Sequence, residues 1–378
     1  MKLHKSLASM VVLSLLLTTV GALSAGAAPA AAPPAPKFSE AAAFDLSPAV
    51  RNLPHSEARL NNSAGDADEP REIRPERGPV ASNHDFKDDT ALQSPAAQVA
   101  AAAAIAAPLV NFEGLSNQDN FNAYGFRVNP PDPVGDVGPN HYVEMVNLTF
   151  AVYDKQGNRL AGPTKIGDLW KDFAVTDCTD PSGDPIVLYD QLEDRWLLSQ
   201  FTTRGPKYYD CVAISQTGDP TGAYYRYAFV TQPDPELPNG TFFPDYPKYG
   251  VWTDSYILTT RDFGDVTGYG VSVYALEKNK MLDGNPKARA VQFFLNSAVV
   301  PINLMGDGLL PPDIDGTRRP MPDAPAPVVG TQDNNGPYGA TFDALNIFDL
   351  SVQWKATPVA SLALAAQLPV AAFNSEFP

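Results

Sequence analysis

The chain holds 378 residues, 44% of them hydrophobic, with 43 acidic against 27 basic side chains and a formal net charge of −16. That length admits one large domain or two ordinary ones, and the hydrophobic share is enough for a core. The acidic excess excludes sustained contact with nucleic acid phosphates, so no nucleic-acid partner is expected.

The N-terminus carries Lys2 and Lys5, an apolar run from Leu7 to Leu23, and then Ala25-Gly26-Ala27. This is the three-part layout of a secretory signal peptide over residues 1–27. The run is shorter than the roughly 20 apolar residues that a membrane span prefers, which disfavours the alternative of a retained anchor. No later stretch is long and apolar enough to span. The expected product is secreted or held at the cell surface, with no transmembrane segment after cleavage. Residues 28–111 are rich in Ala, Pro and Ser, with Phe38, Phe44 and Phe86 as their only aromatics. Such a composition buries too little apolar area to offset ordering entropy, so it reads as a tether or a cleaved propeptide.

From residue 112 onward, short alternating runs of Tyr, Phe, Val and Trp are separated by Gly, Pro, Asp and Asn, which is the pattern of strands and turns. Predicted strands cover 141–147, 150–154, 185–190, 195–201, 208–215 and 224–230. Further ones cover 248–252, 255–260, 270–276, 290–295, 327–331 and 344–350. A weak repeat underlies them. Asp132-Pro133-Val134, Asp184-Pro185-Ile186 and Asp245-Tyr246-Pro247 each lead to a turn and a strand, and a looser fourth unit starts at Asp313. Each unit opens on an Asp and Pro corner, makes an inner strand and turns at Asn or Asp. Four antiparallel strands per unit predict an all-β, propeller-like array of about four to five blades over residues 112–378. A β-sandwich pair is the alternative.

The stretches DPVGDVGPNHYVEMVN (132–147), DPIVLYDQLEDRWLLSQF (184–201) and FPDYPKYGVWTDSYILTT (243–260) resemble a family of uncharacterised secreted bacterial proteins with a propeller-like region. The likeness covers roughly residues 112–378. It implies an exported β architecture and brings no reaction with it. Relatives of that kind continue with further blades and sometimes with adhesion modules, whereas this chain stops at Phe377-Pro378 in what reads as the middle of a unit. The reading is of a C-terminal truncation that leaves exposed sheet edges at the break.

The residue inventory excludes several chemistries. Of the four histidines, His4 lies in the signal peptide and His55 and His84 in the tether, leaving His141 alone in the predicted domain. A multi-histidine zinc site is therefore out. The motifs G-x-S-x-G, G-x-x-x-x-G-K-[ST] and H-E-x-x-H are absent from the chain. Cys178 and Cys211 are the only cysteines, and export makes a disulfide between them the expected state, with two buried thiols as the alternative. From residue 112 there are 26 Asp against six Glu, and most should serve as turn residues. Asp313 and Asp315, with Gly316 beside them, form the best local candidate for a hard cation, calcium being the only cofactor considered.

Asp136, Asp184 and Asp245 each sit at the start of an inner strand and converge near the centre of a propeller, where Tyr246 and Arg261 complete a candidate binding site. Two functions follow. The first is a binding or adhesion module for carbohydrate or protein, acting through loops and aromatic faces such as Tyr224, Tyr225 and Tyr227. The second is a glycoside hydrolase with paired Asp residues, for which two carboxyls are needed at about 5 to 9.5 Å, depending on stereochemistry.

Overall fold

A computed structural model of the protein describes residues 34–57, 71–72, 107–231, 242–264, 268–316, 318–321 and 323–375. The predicted signal peptide lies outside them, as does most of the segment read as a tether. Strands are numbered in chain order from β1 (Lys37–Glu40), β2 (Ala43–Leu46), β3 (Arg71–Glu72) and β4 (Val128–Asn129).

Four antiparallel sheets carry the fold. The first runs in sequence order through β5 (Val134–Val137), β6 (His141–Val146), β7 (Thr149–Asp154) and β8 (Arg159–Lys165). The second comprises β9 (Ile186–Asp190), β10 (Arg195–Phe201), β11 (Tyr209–Ser215) and β12 (Tyr224–Val230), and the third β13 (Phe242–Val251), β14 (Ser255–Gly264), β15 (Tyr269–Glu277) and β16 (Arg289–Asn296). The fourth holds β17 (Leu309–Leu310), β18 (Ala326–Gln332), β19 (Ala344–Gln353) and β20 (Val359–Pro369). The opening strands lie side by side, β5 against β9 and β9 against β13, while β14 meets β17. Four blades in a propeller-like, all-β array are the result. Among the described residues, no helix is long and apolar enough to cross a membrane.

Alternation explains the stacking. On β11, Cys211 and Ala213 face the first sheet and join Met145, Phe150, Trp170 and Trp196 in one core, while Val212 and Ile214 face the third sheet and join Tyr227, Tyr256 and Leu258 in another. On β15, Tyr274 and Leu276 face the second sheet, while Val271, Val273 and Ala275 face the fourth with Phe293, Val328 and Phe348. Successive side chains point to opposite faces, so a sheet packed on both sides shows an unbroken apolar run. Tyr224 and Tyr227 are fully buried in these two cores. They are packing residues and not an exposed platform.

The tether reading fails for residues 37–46. β1 pairs with β16 and becomes a fifth, outermost strand of the third sheet, and β2 pairs with β12 and does the same for the second. Composition missed them because strands of four residues show little period. What docks β2 is a charge pair: the buried Arg226 guanidinium donates through Nε and Nη2 to the Asp45 carboxylate at 2.6 Å each, and through Nη1 to the carbonyls of Leu169 and Lys171.

The Cys178–Cys211 disulfide is present, with an S–S distance of 1.99 Å and Cα atoms 5.9 Å apart. It ties the short helix Thr176–Thr179, ahead of β9, to β11 of the same sheet. The fourth unit differs from its prediction, since its sheet opens at Leu309 and not at Asp313. Asp313 instead accepts the Val251 N–H at 2.8 Å, closing the end of β13.

Candidate functional site

Three corners bring the site together. Asp132, Asp184 and Tyr246 each precede a proline and each hold a positive φ, of 38°, 45° and 52°. Left-handed backbone is costly for a residue with a Cβ, and a following proline favours extended backbone, so three such corners in a row store strain at one place. In the third unit the corner is displaced by one residue, and a β-bulge between Asp245 and Lys248 absorbs the shift.

Asn147 locks the first two corners together. Its Nδ2 donates to Asp132 Oδ2 at 2.7 Å and to the Pro130 carbonyl at 3.0 Å, and its Oδ1 accepts the Asp184 N–H at 2.8 Å. Asn147 sits in the tight β6–β7 turn, which the helix Asn117–Tyr124 supports through Asn120. The Asn120 amide donates to the Asn147 carbonyl, and its oxygen accepts the Leu148 N–H at 2.8 Å. That helix starts on a capping box, Ser116 with Asp119, and stops at Gly125, whose φ is 83°. A local sequence signal thus fixes a side chain that in turn positions two carboxyls.

The electrostatics follow from crowding. Loss of water, then the charge of Asp245, then the charge of Asp132 and a hydrogen bond to it push the Asp184 carboxyl up to about 8. Burial and the neighbouring carboxylates thus favour the protonated form of Asp184. Lys248 reaches solvent, yet the surrounding protein strips water from its ammonium and depresses its pKa, against the opposing pull of Asp184, Asp132 and Asp245. Asp245 is buried and accepts the Tyr246 N–H at 3.0 Å. Its cross-strand partner is Arg261, whose guanidinium lies 5.1 Å from the Tyr246 ring centre and donates to Asp307 at 3.2 Å. Tyr338 donates to the same Asp307 carboxylate and stacks on Tyr269 with ring centres 6.0 Å apart. Tyr246, 36% exposed, forms the rim.

The structure places Asp184, Asp245, Tyr246 and Arg261 near one another. Asp136 is not among them: four residues further along, its Oδ2 accepts the Tyr189 N–H at 2.6 Å and stitches β5 to β9. Asp132 takes its place. The repeat contained that signal, because Asp132-Pro133 and not Asp136 is the counterpart of Asp184-Pro185. Lys248 was missed although it directly follows the third corner, and Asn147, Asp307 and Tyr338 were missed because nothing near them in sequence marks them as neighbours of the corners. Asp313 accepts the Val251 N–H, and Asp315 accepts the Gln191 amide at 3.2 Å. Among the described residues, no group of three or more His, Cys, Asp or Glu side chains is placed to hold a metal ion.

No family model and no curated protein matches the chain. Among solved structures, it is similar to a GH43 endo-arabinanase from Bacillus licheniformis, at 12% identity over 61% of this chain and 96% of that one, with a TM-score of 0.19. A likeness that slight carries no argument about activity, and the architecture stands on the sheets themselves.

Proposed function

We propose that the protein acts outside the reducing cytoplasm as a carbohydrate-binding module, with its ligand seated on the corners of the first three blades. The observation that carries this reading is the convergence of Asp132, Asp184 and Asp245 with Lys248 and Tyr246 at a point that reaches solvent. Carboxyls accept hydrogen bonds from paired sugar hydroxyls, a protonated Asp184 donates one back, and the Tyr246 ring offers an apolar face. The disulfide agrees with an oxidising compartment. Titrating a panel of neutral oligosaccharides into the protein by calorimetry tests it. Binding to at least one, weakened by about tenfold or more in Asp184→Ala and Asp132→Ala, is the expected outcome, in line with losing one or two hydrogen bonds to half-buried carboxyls. Unchanged affinity in both variants removes the reading.

Glycoside hydrolysis is the second reading, favoured by one observation. A carboxyl that keeps its proton up to about 8 is poised as a general acid. Asp132 stands too close to Asp184 for the usual spacing of about 5 Å or more, so Asp245 would supply the second carboxylate. Release of reducing ends from any panel member, lost in Asp184→Asn, supports hydrolysis; binding without release supports recognition alone.

A further inference from the structure

A second site lies away from the corners. A groove of ≈ 700 Å³ follows the outer edge of the third sheet, where the β19–β20 turn of the fourth sheet meets it. Trp354, half-buried, is held by its indole N–H, which donates to Ser255 Oγ at 2.9 Å. The Arg289 guanidinium lies 5.4 Å from its ring centre. Arg289 is itself fixed, donating through Nε and Nη2 to both Glu277 oxygens at 2.6 Å and through Nη1 to the Lys355 carbonyl at 2.8 Å. An aromatic ring is thus set in place by a complete ion pair.

The charges around that ring are unbalanced. Glu277 already answers Arg289 and also pairs with Lys280 at 3.1 Å. Lys287 and Lys355 line the groove and are exposed, and neither forms a salt bridge among the described residues. Four cations, Lys280, Lys287, Arg289 and Lys355, face two carboxylates, Glu40 and Glu277. The groove therefore carries an excess of two positive charges in a chain of net charge −16. A concave wall of one sign focuses its field on a ligand of the other, and a fixed indole face beside it suits a flat, partly apolar ring.

We propose that this groove binds acidic oligosaccharides, with a sugar ring on Trp354 and its carboxylate between Lys287 and Lys355. The proposal does not rest on the carbohydrate reading of the corner site. The test is a tryptophan-fluorescence titration of the full chain with hexagalacturonate, and with maltohexaose as the uncharged control. Saturable binding of hexagalacturonate and none of maltohexaose is expected. Affinity should fall severalfold as salt rises from about 0.05 to about 0.3 M, where screening shortens the reach of exposed charges. The Lys287→Gln, Lys355→Gln double variant should lose about tenfold, the effect of two exposed ion pairs. Asp184→Asn should bind hexagalacturonate as the wild type does, which separates this groove from the corners. Trp354→Ala should abolish binding; because Trp354 also packs against the core, the lysine variant, checked for folding by circular dichroism, decides. No binding of hexagalacturonate, equal binding of maltohexaose, or wild-type affinity in the lysine variant overturns the proposal.

Discussion

Asp184 shows how one residue changes chemistry with its surroundings. The same Asp-Pro pair on an open turn would ionise near the usual carboxylate range; here burial, and after it the charges of Asp245 and Asp132, push it up to about 8. Burial does the same to Asp210, up to about 8, and to Asp262, up to about 7. In each case the folded pKa exceeds the unfolded value, so the folded state holds more protons and stability falls as pH rises from about 4 towards about 8. Thermal unfolding across that window should show a falling Tm. Asp184→Asn should flatten the slope by up to about 1.4 kcal/mol per pH unit, the contribution of one proton; an unchanged slope would show that Asp184 titrates normally. Arg226 makes the complementary case. Removing Asp45, which is 37% exposed, leaves a buried guanidinium with only its two carbonyl partners, so Asp45→Ala should cost about 1.5 to 3 kcal/mol in urea unfolding. A loss below about 1 kcal/mol, the range of a surface ion pair, would contradict the docking role of that pair.

The elements were legible to the degree that each carried its own period. Strands such as β10, β11, β12 and β16 are apolar runs of seven or eight residues closed by turn residues, so their limits can be read directly. β8 hid behind Gly162-Pro163, and β13 begins six residues before its predicted start because Pro244 and Pro247 look like breakers. β1 and β2 could not be read at all, since their four residues form strands only by borrowing hydrogen bonds from the finished sheets. Deleting residues 1–57 should therefore expose the edges of β12 and β16 and raise aggregation in light scattering; a monomeric, equally stable product would restore the tether reading. The disulfide closes a loop of 33 residues. Its removal by Cys178→Ser and Cys211→Ser should cost roughly 3 to 4 kcal/mol in urea unfolding, and no loss would mean that the reduced chain is equally constrained.

Across the whole molecule, the sheets work as a device for bringing together residues more than fifty apart in sequence. Asp132, Asp184 and Asp245 meet because β5, β9 and β13 lie side by side, so convergence follows from topology and was foreseeable once the repeat was seen. The choice of Asp132 over Asp136 was legible there too, because Asp132-Pro133 is the counterpart of Asp184-Pro185, while Asp136 lies four residues along and stitches β5 to β9. Asn147 was hidden because its contacts with Asp132 and Asp184 depend on which loops the sheets bring together. The measurement that tests the central claim most directly is a carboxyl ¹³C NMR titration of the wild type and Asp132→Asn. One corner carboxyl should titrate near pH 8 in the wild type and move clearly downward when the Asp132 charge is removed. Corner carboxyls that all titrate below about pH 5, the ordinary range for isolated aspartates, would contradict the raised Asp184 carboxyl and with it the site.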